Sequence, residues 1–331
     1  MTRTASWLLS IGVLLFVGVL VSQDLSAIIA TLARAGWGLL LVALFHLLPL
    51  LLDAIAICVL FELGSSRSPY RDSLLARWVG ESANSLMPAG QIGGPVLMAR
   101  HLVQRGMLGQ DAAAAITVST TLQTFAQIVF ALIGVILLGA QTSHSSPLAL
   151  RTSALIASAF LAVQVGGFYL IQRRGLFGKL MRAVRRFSAK RDWSQWVTQA
   201  QAIDLAVEGT YRRNGAVTTS FLLSLVGWIV GTGEVYLIAL FLETPVTWRD
   251  ALLLESLGQA IRGAGFAIPG ALGVQEGGYL LLGPLAGLSP DAALALSLAK
   301  RARELLLGLP GLLYLHFAAR GSAATGGVTP P

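Results

Sequence analysis

The sequence predicts an all-α polytopic membrane protein, organised as an inverted-topology repeat of span, re-entrant hairpin and span. Apolar residues make up 55% of the chain and charged residues only 12%, whereas soluble domains carry roughly 25% charged residues. Mean hydropathy is +0.71. Two motifs interrupt apolar helical sequence with Pro and Gly at corresponding places in the two halves. Such paired interruptions are typical of transporters, whose binding sites lie where the interruptions meet.

Several apolar runs approach or exceed the roughly 20 residues that a transmembrane helix needs. These runs are Trp7–Ser22, Trp37–Phe61, Ala112–Ala140, Ser153–Ile171, Ala216–Leu242 and Ala292–Phe317. A signal peptide is the alternative for the first run, although no clear small-residue cleavage site follows it. We therefore expect about six full spans plus two broken hairpins.

The spans predict a single integral membrane domain over residues 1–320. This domain is divided into repeat one (36–140), a linking span (151–172), a basic cytoplasmic loop (173–214) and repeat two (215–320). The segment 321–331 consists mostly of Gly, Ala, Thr and Pro, and we expect it to be a disordered tail. The single cysteine, Cys58, excludes a disulfide within the chain and a cysteine metal cluster.

The two halves of the sequence match at one fixed offset. This offset places Gly93 on Gly273 and Asp111 on Asp291, and each of these Asp residues is followed by Ala-Ala. The spacing from glycine to aspartate is therefore identical in the two halves. The candidate hairpin breaks are Asn84, Pro88, Gly90, Gly93, Gly94, Pro269, Gly270 and Gly273.

Charge placement predicts the orientation, because loops rich in Lys and Arg face the cytoplasm. The segment 173–191 is the main basic loop, whereas the loop 141–150 has no Lys or Arg. Orientation alone is a sufficient role for the positive charge, and contact with the anionic cytoplasmic leaflet is the alternative. The cations for that contact are Arg173, Arg174, Lys179, Arg182, Arg185 and Arg186. We expect a bacterial inner-membrane protein with both termini cytoplasmic and no nucleic-acid partner.

The parity of the crossings predicts the re-entrant hairpins. A single crossing by the region Asp72–Gly106 would place the basic loop outside, so this region should enter and leave on the cytoplasmic side. The same reasoning gives a second hairpin, Arg249–Leu288, that enters from outside. The one unpaired span between the halves then turns repeat two upside down relative to repeat one. The alternative is that Pro88 and Pro269 merely kink ordinary spans.

Thiol labelling tests this orientation. A cysteine placed at Ser145 should react with an impermeant reagent added outside intact cells, and a cysteine at Ser188 should not, because the basic loop faces the cytoplasm. The parent chain, which carries Cys58 alone, supplies the background. Labelling at Ser188 in intact cells would overturn the predicted orientation and the parity of the crossings.

Ionisable residues inside the spans are costly, so they are candidates for function. The closing span carries a charged cluster, and the matching positions of repeat one are polar. We expect a headgroup-binding site formed by Lys300, Arg301, Arg303, Glu304, Thr120, Gln123, Thr124, Glu276 and Glu234. The cations would form a seat for a phosphate or polar headgroup. The alternative is a buried ion-pair network that fixes helix packing, in which Lys300 and Glu304 can pair.

The two breaks predict a binding site, and the sequence lacks the common motifs of enzymes. Half-helices that start after Gly94 and Gly273 would direct free N–H groups inward, which suits an anionic or hydroxyl group. The sequence has no phosphate-binding loop, no nucleophile elbow, and no metal-ligand spacing among its histidines. We therefore expect no enzyme activity, no metal and no cofactor.

A set of motifs recurs in a fixed order along the chain: Asn84-x-x-x-Pro88 with Gly93-Gly94 and Arg100, then Ile268-Pro269-Gly270-x-x-Gly273-Val274-Gln275-Glu276, Asp291-Ala292-Ala293 and Arg301. In their order and spacing, these motifs resemble the lysylphosphatidylglycerol synthetase transmembrane-region family, also called flippase-like membrane proteins. The resemblance covers nearly the whole chain, and it is closest to the branch associated with hopanoid-biosynthesis loci in bacteria. Gly94-Pro95 stands where the family often has Gly-Glu, so no carboxylate role is transferred to the first hairpin.

The resemblance implies an inner-membrane lipid flippase or lipid transporter whose partner is a hopanoid or a phospholipid. A polyol headgroup would need hydrogen bonds more than cations, so Thr120, Gln123 and Thr124 would matter most for a hopanoid. Aminoacyl transfer belongs to a separate soluble domain in this family, so the membrane region does not imply that reaction. The alternatives are a non-transporting scaffold for lipid-biosynthesis enzymes and a membrane-embedded lipid-modifying enzyme.

Overall fold

The computed structural model describes residues 35–62, 68–87, 90–141, 194–244, 246–265 and 268–325, together with a few isolated positions between 33 and 170. Every regular element in these ranges is helical, which confirms the predicted all-α class. The α-helices are α1 (Gly38–Phe45), α2 (Leu47–Cys58), α3 (Pro69–Leu86), α4 (Gly90–Gln104), α5 (Gly109–Gln141), α6 (Ser194–Arg212), α7 (Asn214–Phe241), α8 (Trp248–Ala264), α9 (Val274–Leu282) and α10 (Pro290–Thr325). Two 3-10 turns, Pro269–Ala271 and Gly283–Ala286, flank α9.

Three stretches of the described residues are long and apolar enough to cross a membrane. They are Gly38–Cys58, Gly109–Gly139 and Asn214–Phe241. Each agrees within three residues with a span predicted from the sequence. The predicted span Ala292–Phe317 lies within α10. The predicted spans Trp7–Ser22 and Ser153–Ile171, and the basic segment 173–191, lie outside the described residues apart from isolated positions.

In each half, a break separates the two helices of the predicted hairpin. Helix α3 ends at Leu86 and α4 begins at Gly90, whereas α8 ends at Ala264 and α9 begins at Val274. The first hairpin helices of the two halves start at Pro69 and Trp248, and the closing helices start at Gly109 and Pro290. The helix boundaries therefore repeat at nearly the same offset as the sequence motifs.

The two halves pack against each other reciprocally. Helix α3 of the first half packs against α10, and α8 of the second half packs against α5. The opening helices α2 and α7 contact each other, and each also packs against the following hairpin helix of its own half. This exchange is what a two-fold relation between the repeats requires. The inverted orientation of the repeats in a membrane stays a prediction.

Two apolar clusters lie toward opposite ends of α5. One includes Ala112–Leu122 positions of α5 and side chains from α2, α3, α4 and α6. The other includes Val135 and Leu138 with side chains from α1, α7, α8, α9 and α10. The middle of α5 contributes Gln123 and Gln127 to a polar interior.

Two segments are more helical than the sequence predicts. Residues 194–212 fall within the predicted basic loop, yet they form α6, which packs on α5. Ala200, Val207 and Tyr211 are buried, and their spacing places them on one face of a helix. Helix α10 continues to Thr325, into the predicted disordered tail, and residues 326–331 lie outside the described residues.

The first break is also shorter than predicted. Helix α4 begins at Gly90, so Gly93 and Gly94 lie in its first turns, whereas we expected the half-helix to start after Gly94. The Asn84 side chain accepts a hydrogen bond from the Gly94 N–H at 3.0 Å. A Cβ atom on Gly94 would lie 2.6 Å from the Gly80 carbonyl oxygen. Only glycine permits this close approach of α3 and α4. Pro88 lies outside the described residues.

Candidate functional site

A polar cavity of about 210 Å³ lies where the two halves meet. Its wall includes residues of α2, α3, α5, α7, α8 and α10, and residues beside both hairpin breaks. Of the predicted headgroup-binding residues, those that line it are Thr120, Gln123, Thr124, Glu234, Arg303 and Glu304. Lys300, Arg301 and Glu276 are absent from the lining, although Lys300 pairs with the lining residue Glu255 and Arg301 pairs with Glu276 and with the lining residue Glu304. The structure therefore brings two thirds of the predicted set to one cavity.

The cavity wall continues into a network of ion pairs. Each cation of the network has a carboxylate oxygen at 3.1 Å or less. Removal of one partner of a buried ion pair destabilises a protein by more than the intact pair stabilises it, because the other partner is left as an uncompensated charge. The carboxylates are Asp53, Glu81, Glu234, Glu255, Glu276 and Glu304, and the cations are Arg77, Arg262, Lys300, Arg301 and Arg303.

Arg301 anchors the second hairpin break. Its guanidinium donates to the carbonyl oxygens of Gly270 at 2.6 Å and Ala271 at 3.1 Å. The same group pairs with Glu276 at 2.8 Å and with Glu304 at 2.9 Å. Arg301 therefore has four acceptors within the protein, and its contact with a headgroup stays a prediction.

The break itself has a backbone that few residues adopt. Gly270 and Gly273 have φ of +61° and +77°, and Ala271 has φ of +49°. Glycine enters this region without a side-chain clash, whereas Ala271 is strained there. The Glu276 carboxylate accepts a hydrogen bond from the Gly273 N–H at 2.7 Å. Glu276, which is fully buried, therefore caps the start of α9.

Lys300 pairs with a different carboxylate from the one that the sequence suggests. Its Nζ lies 2.5 Å from Glu255 Oε2 and 3.9 Å from Glu234 Oε1. Glu304 instead pairs with Arg262 and Arg301. The i,i+4 spacing permits a Lys300–Glu304 pair, but α8 brings Glu255 closer. Lys300 is only 1% exposed, so its ammonium is held by the protein.

The two repeats join their opening and closing helices in the same way. In repeat one, Gln123 of α5 donates to Asp53 of α2 at 2.7 Å. In repeat two, Arg303 of α10 donates to Glu234 of α7 at 3.1 Å. The offset that relates the two halves places Gln123 on Arg303, and it places Asp53 one position from Glu234. Repeat one differs in that Arg77 of α3 supplies the charge, 2.7 Å from Asp53.

The threonines present acceptors to the cavity. The Thr120 hydroxyl donates to the Ile116 carbonyl at 2.8 Å, and the Thr124 hydroxyl donates to the Thr120 carbonyl at 2.8 Å. Since each hydroxyl proton is used inside the helix, the oxygen lone pairs remain available. This stretch of α5 can therefore accept hydrogen bonds from a bound hydroxyl group.

Six network residues that line the cavity lie outside the predicted headgroup-binding set, namely His46, Asp53, Arg77, Glu81, Glu255 and Arg262. His46 lies between α1 and α2, and its ring nitrogens contact Glu81 and Glu234. Arg77 bridges Asp53 and Glu81. His46 lacks metal-ligand spacing and therefore drew no attention in the sequence. The sequence did contain a signal for His46, because it is an ionisable residue within the apolar run 37–61, and such residues in spans are candidates for function.

Comparison with known proteins gives the family of the chain. The family model described as the lysylphosphatidylglycerol synthase TM region matches residues 6–311. No curated protein and no solved structure matches the chain. This match confirms the family that the sequence resemblance predicted. The matched residues include both hairpin breaks and every residue of the ion-pair network. Membership of the hopanoid-associated branch stays a prediction. The chain belongs to the lysylphosphatidylglycerol synthase TM-region family.

Proposed function

We propose that this protein is a lipid flippase or lipid transporter of a bacterial inner membrane, and that its cavity receives the lipid headgroup. The observation that carries the proposal is the polar cavity between two halves of an apolar helical protein. Polar groups inside a membrane are expensive and are retained where they line a pathway. A scaffold for biosynthetic enzymes needs no such cavity, so transport is the better account.

The charges of the cavity favour a neutral headgroup that bears hydroxyls over a phosphate. Its cations, Arg77, Arg262 and Arg303, are each bonded to a carboxylate. A phosphate would have to displace these carboxylates, and Asp53 and Glu234 would repel it. Hydroxyl groups, in contrast, can donate to carboxylates and accept from amide side chains. A polyol headgroup of the hopanoid class fits these groups.

The two hairpin breaks would serve as the gate of the cavity. Asn84 of α3 accepts a hydrogen bond from the Gly94 N–H of α4, on the other side of the first break. Asn84 and Gly270 of the second break both line the cavity. A Cβ atom on Gly270 would lie 2.9 Å from the Ser85 carbonyl oxygen. The two breaks therefore approach each other at the cavity wall. Paired discontinuous segments of this kind surround the substrate in inverted-repeat transporters.

Reconstitution into liposomes tests the proposal. Wild-type protein should transfer a labelled polyol hopanoid between leaflets faster than labelled phosphatidylglycerol. Thr124→Leu should slow hopanoid transfer by about tenfold, since it removes an acceptor and occupies cavity volume, and a tenfold effect corresponds to about 1.4 kcal/mol. Chemical reduction of the accessible label measures the transfer.

The control variant is Arg212→Gln. Arg212 lies on α6 with a 76% exposed side chain and pairs with Glu208 of the same helix, so transfer by this variant should match wild type. Faster transfer of phosphatidylglycerol than of hopanoid would overturn the neutral headgroup. A wild-type protein that binds biosynthetic enzymes but transfers neither lipid would favour the scaffold.

A further inference from the structure

His46 connects the two halves of the protein at the cavity wall. Its Nδ1 lies 2.7 Å from Glu234 Oε2 on α7, and its Nε2 lies 2.7 Å from Glu81 Oε1 on α3. The side chains of Glu234 and Glu81 are 3% and 23% exposed. All three residues line the cavity, so water that enters the cavity can reach them.

These two contacts need more protons than a neutral histidine carries. A neutral imidazole has one N–H donor and one lone pair, whereas a protonated imidazole has two donors. Each ring nitrogen of His46 lies at hydrogen-bonding distance from a carboxylate oxygen. With a neutral ring, one lone pair would face a carboxylate at 2.7 Å, and this contact would be repulsive. An unperturbed imidazole is a stronger base than a glutamate, so the additional proton belongs on His46.

The charge of the network leads to the same result. Among the described residues, the network contains six carboxylates and five Lys and Arg side chains. A protonated His46 supplies the missing positive charge, whereas a neutral His46 leaves one negative charge uncompensated. A buried excess charge is costly in apolar surroundings. One additional proton therefore balances the network, and the imidazole of His46 is a stronger base than any of the six carboxylates.

We propose that His46, Glu81 and Glu234 form a binding site for one exchangeable proton, and that this proton is the coupling ion of the lipid transport proposed above. The coupling rests on that proposed function. The other charged groups that face the site are Arg303 of α10, 3.4 Å from His46 Nε2, Arg77 of α3, 3.8 Å from Glu81, Lys300, 3.9 Å from Glu234, and Asp53 of α2, which pairs with Arg77 at 2.7 Å. Guanidinium groups stay charged at physiological pH, whereas an imidazole changes charge near neutral pH, so His46 is the group assigned to the exchange.

Loss of this proton gives the mechanical step. With the proton bound, His46 donates to α3 and α7 together and holds the first hairpin against the second half. After release, one nitrogen keeps its donor and the other presents a lone pair, so one of the two contacts has to open. Proton binding thus favours the joined arrangement, and proton release favours separation of α3 from α7 at the cavity.

Nitrogen NMR of histidine-labelled protein in nanodiscs tests the proton site directly. His46→Gln identifies the resonance, and histidine free in solution supplies the reference. His46 should remain doubly protonated at pH values where a free imidazole has become neutral. Glu81→Gln and Glu234→Gln should each lower the pH at which His46 loses its proton by about one unit or more. Loss of the His46 proton at or below the pH at which a free imidazole loses its own, or an unchanged titration in both variants, would overturn the site.

Transport under an imposed pH difference tests the coupling. Reversal of the gradient should change the wild-type transfer rate of labelled hopanoid, and His46→Gln should make the rate independent of the gradient. His316→Gln should retain the wild-type dependence. Wild-type transfer that ignores the gradient overturns the coupling but leaves the proposed function intact. Wild-type protein that transfers no lipid overturns the proposed function, and the NMR titration then decides the proton site alone.

Discussion

Replacement of Arg301 by Leu is expected to destabilise the folded protein by about 3–5 kcal/mol, the cost of removing one partner from a buried ion pair. The change leaves the fully buried Glu276 without its cation. It also removes the donors to the Gly270 and Ala271 carbonyls, which lie at a strained part of the second break. Transport should be lost as a consequence of this destabilisation.

Thermal unfolding of purified protein in detergent measures this effect. Arg212→Leu is the matched control, because its surface pair should contribute only about 0–1 kcal/mol. A lower Tm for Arg301→Leu together with a wild-type Tm for Arg212→Leu would support the anchoring role. If Arg301→Leu keeps a wild-type Tm but loses lipid transfer, the result would instead support the headgroup contact that the sequence predicts for Arg301.

Removal of Lys300 is expected to be similarly damaging, and a second change should repair it. Lys300→Met leaves Glu255 as an uncompensated carboxylate and should cost about 3–5 kcal/mol. Combining it with Glu255→Gln should recover most of this loss, because removal of both charges of a buried pair is often close to neutral. The amide that replaces the carboxylate of Glu255 can still accept from Tyr279, whose hydroxyl donates to Glu255 at 3.1 Å.

A double-mutant cycle on unfolding free energies measures this repair. The comparison variant is Arg303→Leu with Glu304→Leu, which removes neighbours in sequence that have different principal partners. Arg303 pairs with Glu234 and Glu81, and Glu304 pairs with Arg262 and Arg301. This variant should show no repair, since it leaves several charges without partners. Equal recovery in both double variants would contradict the assigned pairs.

Much of the fold could be predicted because its signals are local. The stretches Gly38–Cys58, Gly109–Gly139 and Asn214–Phe241 are long and apolar, and a bilayer-length apolar run has few alternatives to a helix. The breaks could be located because Pro and Gly interrupt helices wherever they lie. Helix α6 was not predicted, because its apolar face is narrow and its segment was assigned to the basic loop 173–214.

The polar positions that line the cavity were predicted in part for the same reason, whereas headgroup binding there stays a prediction. Polar side chains at Thr120, Gln123 and Thr124 within an apolar span had to lie against protein or water, and the structure places them at the cavity. Arg303 and Glu304 also reach it. Residue type and depth along a helix are properties of the sequence, so the general position of the site followed from them.

The amino-acid sequence was sufficient to identify the membrane-protein class, the principal spans, the two breaks and the polar level within the spans. The pairing of the charges, in contrast, depended on tertiary packing. Lys300 meets Glu255 across 45 residues, and His46 meets Glu234 across 188. Such pairs depend on how separate helices pack, and local spacing contains no information on that packing. For the same reason, the structure was needed to separate the cations that hold the hairpin in place from the groups that face the cavity.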